Sequence, residues 1–159
     1  MTQAPEFELV PIEELKSHEE IDEENVVDLV KEISRAGVFA DPIWAARGSL
    51  VILNGHHRVE ALRRLGARRV PAWLLDYETD AVSLEPWRPG LPITKAEVVR
   101  RGLGGHLFPP KTTRHKLRVE LPPHPTPLAE LVPGSVRRES QRRSGDRSMS
   151  PRAGASGSR

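Results

Sequence analysis

The strand–turn–helix pattern over residues 50–66 constrains the fold of this chain more than any other feature. Leu50–Leu53 are four consecutive apolar residues, which is typical of a strand covered on both faces. Asn54-Gly55 is a turn sequence, because glycine adopts backbone angles that cost other residues energy. Apolar residues then recur at helical spacing over 59–65, and Gly66 ends the helix. The pattern predicts a buried strand that turns directly into an amphipathic helix.

Three polar residues, His56, His57 and Arg58, occupy the predicted start of this helix. A helix N-terminus carries free backbone N–H groups and the positive end of the helix dipole, and arginine adds a bidentate cation. The combination predicts a phosphate-binding turn. Two other interpretations stay open: a helix cap with solvated polar residues, or a zinc site. The zinc site is less favoured because adjacent helix residues point apart and the chain has no cysteine.

The remaining apolar periodicity predicts an α+β (mixed α/β) domain, in which helices pack on a small mixed sheet. Pro71 near the start of one strand predicts an edge strand or an irregular beginning. Thr94 and Glu97 form a capping box, and the glycines of 102–105 are predicted to end that helix in a flexible loop. The predicted strands are Phe7–Val10, Ile43–Ala46, Leu50–Leu53, Val70–Leu75 and Ala81–Leu84, and the predicted helices are Glu23–Ala36, Ala96–Arg101 and Leu128–Val132.

Charge is distributed unevenly along the 159 residues. Residues 1–41 carry 12 acidic and 3 basic side chains, whereas 136–159 carry 7 arginines and 2 acidic residues. We expect 1–6 to be a flexible N-terminus, 7–132 to be the folded domain and 133–159 to be a disordered basic tail rich in Ser, Gly and Arg. Weak attraction of this tail to nucleic acid is the minority alternative to a solubilising role. The chain lacks cysteine and any apolar run of the ~20 residues that span a bilayer, so we expect a cytoplasmic protein without membrane contact.

A second polar segment is Lys111-Thr112-Thr113-Arg114-His115, which follows two prolines that favour an extended approach. Its two cations, two hydroxyl groups and one imidazole form a suitable set for binding an oxyanion. A basic surface loop would have the same composition, and that alternative stays open.

With both polar motifs in place, the chain resembles the ParB/sulfiredoxin-like superfamily. Within it, the chain is most similar to the ADP-dependent free-serine kinases (ParB N-terminal-like domain), in a shortened form. The resemblance covers roughly residues 7 to 131, and its pieces stand in the family's order. The matching pieces are His18-Glu19, Gly37-Val38-Phe39, Pro42, Gly55-His56-His57-Arg58, Leu75-Asp76-Tyr77, Trp87, Pro89 and Pro110-Lys111-Thr112-Thr113-Arg114-His115.

The resemblance implies the ParB/sulfiredoxin-like fold and a kinase that uses ADP or ATP with Mg²⁺ to phosphorylate a small hydroxyl substrate, with free L-serine as the first candidate. It implies that His18 and Glu19 are catalytic, with Glu19 as the base for the serine hydroxyl, and that Trp87 helps to shape the serine pocket. Without the resemblance, Glu19 reads as part of a solvated acidic helix start. The residues implied to hold the phosphates are Gly55, His56, His57, Arg58, Lys111, Thr112, Thr113, Arg114 and His115.

Two departures from the family pattern affect this interpretation. The family usually has aspartate at the catalytic position that Asn54 occupies here, and asparagine neither takes a proton nor offers Mg²⁺ a formal negative charge. The serine kinases carry a longer insert before the Pro110–His115 segment, whereas only about twenty residues separate Pro89 from Pro110 here. By comparison with the family, we therefore expect the part that covers the substrate to be reduced. Two alternatives therefore remain: a ParB-like nucleotide-dependent DNA-binding or regulatory module, and a non-catalytic nucleotide-binding relative. DNA is not the favoured partner, because no helix-turn-helix segment is predicted after the domain.

Overall fold

The computed structural model describes residues 4–86, 93–110 and 112–133. Trp87 and Lys111 lie outside the described residues, as do 1–3 and 134–159 of the predicted terminal segments. No helix within the described ranges is long and apolar enough to cross a membrane. The elements are β1 (Glu6–Pro11), α1 (Glu23–Ala36), β2 (Val38–Phe39), β3 (Ile43–Ala46), β4 (Ile52–Asn54), α2 (His56–Arg64), β5 (Arg69–Leu75), β6 (Val82–Pro86), α3 (Lys95–Gly104), β7 (Thr113–Leu117) and β8 (Thr126–Pro127), with 3₁₀ turns at Ile12–Glu14 and Leu128–Glu130.

A mixed four-stranded sheet in the order β1-β5-β3-β4 forms the centre of the fold. Strand β5 is antiparallel to β1 and parallel to β3, and β3 is antiparallel to β4. Two antiparallel pairs, β2 with β8 and β6 with β7, complete the described strands. The predicted mixed α+β architecture is confirmed.

Both faces of the central sheet are covered, which explains the continuous apolar run in β5. Ala72 and Leu74 pack in one buried cluster with residues of α1 and α2. Trp73 and Leu75 belong to a second cluster, which includes residues of β6 and α3. Successive strand residues point to opposite faces, so an uninterrupted apolar strand is what a sheet buried on both sides requires.

The prediction that Pro71 marks an edge strand is wrong, because β5 lies between β1 and β3. Pro71 is opposite Leu9 of β1, whereas the pairing of β5 with β3 begins one residue later, at Ala72 opposite Ile43. The proline, which has no N–H, therefore lies where β5 has a neighbour on one side only.

The strand predicted over Leu50–Leu53 is shifted. Leu50 has a left-handed backbone conformation with φ of 61°, and its N–H donates to the carbonyl of Ala46, so it closes the turn after β3. Val51 forms an isolated bridge with Lys16, and β4 begins only at Ile52. Val51, Ile52 and Leu53 are buried and Leu50 is half-buried. Apolar character alone therefore does not distinguish a strand residue from the last residue of a turn.

Helix α1 has the predicted bounds, whereas α3 is longer than predicted. It continues through Gly102 to Gly104 and is capped by Gly105 in the left-handed conformation. Gly102 is buried where α3 approaches Val51, and a Cβ atom there would lie 2.8 Å from Cγ2 of Val51. The glycine is therefore explained by close packing inside the helix and not by termination of the helix.

We expect the added methyl group of Gly102→Ala to overpack against Val51 and to lower the free energy of unfolding by about 1–3 kcal/mol. The better helix propensity of alanine offsets about 1 kcal/mol of this loss. Gly104→Ala is the control on the same helix, because its added Cβ would meet only the His106 side chain, at 3.4 Å. Denaturant unfolding at pH 7 measures both variants. Equal effects of the two substitutions would contradict the close approach at Gly102.

Candidate functional site

The two polar motifs meet at a cavity of about 510 Å³ between the end of β4, the first turn of α2 and β7. Of the predicted site residues, His18 and Thr112 are buried nearby without lining the cavity. Asn25 and Leu29 of α1 also line it and were missed by the sequence analysis; their spacing of four residues on one helix face was the available signal. The predicted residues that line the cavity are Glu19, Asn54, Gly55, His56, His57, Arg58, Thr113, Arg114 and His115.

Gly55 forms the turn between β4 and α2 with φ of 112°. A Cβ atom at this position would lie 2.5 Å from Cγ2 of Ile43, so both the backbone conformation and the space require glycine. Gly55 is also the N-cap residue, and no side chain hydrogen bond caps the helix. The backbone N–H groups of the first turn are therefore suited to an anion at the cavity wall.

The paired histidines attach the first turn of α2 to residues 18–22. Nε2 of His56 accepts a hydrogen bond from the backbone N–H of His18 at 3.2 Å, and Nε2 of His57 accepts one from the backbone N–H of Asp22 at 2.8 Å. Because each Nε2 accepts, the proton of each neutral ring lies on Nδ1. Burial, with nearby histidines as smaller causes, holds the pKa of His56 well below its ordinary value.

Arg58 is anchored to neighbouring backbone and to Asn54. Its guanidinium donates to the carbonyls of Asp41 and Pro42, and to Oδ1 of Asn54 at 3.0 Å. Burial lowers the pKa of Arg58, and the charge of Asp41 opposes that shift. The arginine that the sequence assigned to phosphate therefore also fixes the loop before β3 against α2.

Glu19 is not part of a solvated acidic helix start, because it is only 7% exposed whereas Glu20, Glu23 and Glu24 are exposed. Its Oε2 accepts hydrogen bonds from the backbone N–H of Thr113 at 2.9 Å and from the Thr113 hydroxyl at 2.6 Å. The backbone beside Glu19 forms a parallel bridge with Phe108. A buried carboxylate is thus held in one orientation at the cavity.

The second polar segment is not a surface loop in its described part. Thr113 and His115 of β7 are buried, and Arg114 between them is exposed, as expected for alternating residues of a strand. Thr112 donates its hydroxyl proton to the carbonyl of Pro109 at 2.6 Å. His115 Nε2 lies 2.7 Å from the hydroxyl of Tyr77, a contact that the sequence analysis did not assign.

His18, His56 and His115 form a buried cluster behind the cavity, with ring centroids 4.5 Å apart for His18 and His56 and 5.9 Å apart for His18 and His115. Burial and the neighbouring His115 lower the pKa of His18 to about 3. Burial likewise lowers the pKa of His115 to about 4. The cluster is therefore neutral at pH 7.

We expect the free energy of unfolding to fall as the pH is lowered from 7 to 5. The folded-state pKa values of His18 and His115 lie below the ordinary value of 6.5, so in this window the unfolded chain binds protons that the folded chain excludes. Each such histidine costs up to about 1.4 kcal/mol of stability per pH unit below 6.5. His115→Gln should reduce the slope of the free energy of unfolding against pH, because it removes one of these histidines. Denaturant unfolding at stepped pH measures both proteins, and constant stability between pH 7 and 5 would contradict the neutral cluster.

Comparison with known proteins shows that the chain is similar to small-molecule kinases. The chain is 29% identical over 104 residues to the ADP-dependent L-serine kinase SerK of Thermococcus kodakarensis, an alignment covering 63% of this chain and 43% of that protein. It is 31% identical over 105 residues to an ATP-dependent L-serine kinase of Desulfurococcus mucosus, covering 60% and 41%. It is 35% identical over 86 residues to a ParB-like protein of Sulfolobus acidocaldarius, covering 52% and 41%. The chain thus spans less than half the length of the curated relatives it matches.

The fold is shared with a solved free serine kinase in complex with AMP, at a TM-score of 0.72 and 19% identity, covering 82% of this chain and 95% of that chain. No protein-family model matches the sequence. The predicted ParB/sulfiredoxin-like fold is confirmed, and so is the resemblance of the chain to ADP- and ATP-dependent L-serine kinases and to a ParB-like protein.

Proposed function

We propose that this domain is a nucleotide-dependent phosphotransferase that phosphorylates a small-molecule hydroxyl, with free L-serine as the first candidate acceptor. The observation that carries the proposal is the buried Glu19 carboxylate at the same cavity as the uncapped first turn of α2. One cavity thereby offers a base and an anion-binding helix end. The similarity to L-serine kinases supports serine as the acceptor.

ADP or ATP is the proposed phosphoryl donor, as in the names of the relatives. Its phosphates would bind to the backbone N–H groups at the start of α2, with Arg114 as a cation at the same cavity. A neighbouring cavity of about 390 Å³ shares Asn54 and Arg58 with the first and is lined in part by Trp44 and Trp73. Its two tryptophans suit the nucleoside part of the donor, because they offer a flat apolar surface to a base.

In the proposed reaction, Glu19 takes the proton of the acceptor hydroxyl. The hydroxyl oxygen forms a bond to the terminal phosphorus while the bond from that phosphorus to the bridging oxygen breaks. The leaving group is AMP when the donor is ADP, and ADP when the donor is ATP. Such transfer depends mainly on positioning and charge stabilisation, which the fixed carboxylate and the helix end supply. Trp87 remains the expected residue of the acceptor pocket.

The described residues do not form a Mg²⁺ site of their own. They contain no group of three or more His, Cys, Asp or Glu side chains that could hold a metal ion. At the cavity, the amide oxygen of Asn54 is already hydrogen-bonded to Arg58, which leaves Glu19 as the carboxylate that lines it. Mg²⁺ would therefore arrive as the Mg–nucleotide complex, held mainly by phosphates and water.

The central test incubates the full chain with L-serine, Mg²⁺ and either ADP or ATP, and detects phosphoserine and AMP or ADP by mass spectrometry. Glu19→Gln should lower kcat by about 10²–10⁴-fold while nucleotide still binds, because the amide keeps the shape of the side chain but cannot accept a proton.

Glu20→Gln is the matched control, since Glu20 is the exposed acidic neighbour and should leave kcat unchanged. Nucleotide binding without any phosphoserine would rule out serine as the acceptor. Wild-type turnover by Glu19→Gln would rule out Glu19 as the base.

A non-catalytic nucleotide-binding module is the second candidate, and Asn54 is the observation that favours it. We expect Asn54→Asp to lower the Mg²⁺ concentration that gives half-maximal turnover, because it adds a carboxylate to the cavity wall. A Mg²⁺ titration at saturating nucleotide and serine measures the effect. If only the Asn54→Asp variant turned over, the wild-type chain would be a non-catalytic nucleotide-binding module. Strong turnover by the wild type would exclude this second candidate.

Asn25→Asp is the control for this titration, because it places a carboxylate elsewhere on the wall of the same cavity. An equal effect of both substitutions would show that added negative charge, and not its place at position 54, is responsible.

A further inference from the structure

We propose that Thr113 is a positioning residue for the base Glu19 and not a phosphate-binding residue. The inference rests on the proposed function and replaces the role that the family resemblance implies for Thr113.

The contacts of Thr113 are directed at the carboxylate. Its backbone N–H lies 2.9 Å from Oε2 of Glu19 and its hydroxyl oxygen lies 2.6 Å from the same atom. Both residues are 7% exposed. Two donors from one strand residue meet at one oxygen and fix the direction of the carboxylate, because one donor is backbone of β7 and the other is on a buried side chain.

The direction of the hydrogen bonds follows from the role of Glu19. A base must be ionised, and an ionised carboxylate only accepts hydrogen bonds. The Thr113 hydroxyl therefore donates its proton to Glu19. His18 Nε2 lies 2.8 Å from the same hydroxyl oxygen, so the neutral His18 ring donates to Thr113. A chain of donors thus runs from His18 through Thr113 to Glu19.

The backbone holds this chain together from a second direction. Phe108 donates its N–H to the carbonyl of His18 at 2.8 Å, and Glu20 donates its N–H to the carbonyl of Phe108 at 2.7 Å. Glu19 and Thr113 are therefore held on one frame. A phosphate that took either donor of Thr113 would have to break a charge-assisted hydrogen bond to Glu19, which costs more than a neutral one.

The test compares Thr113→Val with Thr113→Ser in the full chain. Valine keeps the shape and the backbone N–H but removes the hydroxyl, so kcat should fall by about ten- to a hundredfold, as for loss of one hydrogen bond to a charged group. The dissociation constant for ADP should change by less than about twofold, because binding of nucleotide does not use this hydroxyl. The Thr113→Ser variant restores the hydroxyl, and its kcat should return to within about threefold of the wild type.

Thr126→Val is the control for removing a buried threonine hydroxyl, because Thr126 is 4% exposed on β8, away from the cavity. It should leave kcat unchanged. A Thr113→Val protein with wild-type kcat and weakened ADP binding would overturn the proposal and return Thr113 to phosphate binding. Failure of Thr113→Ser to recover kcat would also overturn it.

A second measurement does not need turnover. In the amide NMR spectrum, Glu19→Ala should move the Thr113 amide proton upfield through loss of its carboxylate partner, and Glu20→Ala should not. If the wild type makes no phosphorylated product, the proposed function fails, and this spectrum still decides whether Thr113 holds Glu19. An unchanged Thr113 amide in Glu19→Ala would overturn the positioning role.

Discussion

The site depends on the attachment of residues 18–22 to two distant parts of the chain. On one side, His56 and His57 at the start of α2 accept hydrogen bonds from the backbone of this segment. On the other side, Thr113 binds the Glu19 carboxylate across a sequence separation of 94 residues. The segment belongs to neither a helix nor a multi-residue strand, and its backbone is also bridged to Phe108. Because the conformation of this segment is fixed, the Glu19 carboxylate is held in one direction at the cavity.

The attachment through His56 requires an uncharged ring, because its Nε2 accepts a hydrogen bond. His56 lies in the buried cluster with His18 and His115 behind the cavity. Burial is the main cause that lowers the pKa of each of the three, and neighbouring histidines lower the pKa of His18 and His56 further. A positive charge on any one of these rings would be poorly solvated, and it would make protonation of the other two less favourable. Neutral imidazoles act as hydrogen-bond acceptors and donors at low electrostatic cost. The cluster therefore holds the segment that carries Glu19 through hydrogen bonds and does not neutralise the charge of its carboxylate.

Local sequence signals predicted most elements of the fold. The bounds of α1 and the turn at Gly55 follow from helical periodicity and glycine chemistry, both of which act over a few residues. The departure at Leu50 has a local cause, the hydrogen bond to Ala46 that closes the turn after β3. The departures at Pro71 and Gly102 have tertiary causes: a neighbouring strand whose pairing begins one residue later, and a helix that packs against Val51. Neither tertiary cause is visible in a local window of sequence.

The site was predictable as a set of residues but not as a set of contacts. The motifs indicated which residues meet, and nine of them line one cavity. They did not indicate that Nε2 of each paired histidine faces the backbone of residues 18–22, or that both donors of Thr113 face Glu19. Residue type fixes what a side chain is able to bind, whereas the fold decides which of several compatible partners it meets.

The pairing of Asn54 with Arg58 determines the charge at the cavity wall. An aspartate at position 54 would neutralise the guanidinium, whereas the amide accepts its hydrogen bond and leaves the positive charge in place. Arg58 is half-buried, so this charge is screened less than it would be in bulk water. Asn54 and Arg58 line both cavities, and their common wall is therefore more positive with asparagine than it would be with aspartate at position 54. The nucleotide phosphate that we propose at the start of α2 would benefit from that charge directly, which would favour nucleotide binding over the assembly of a separate metal site.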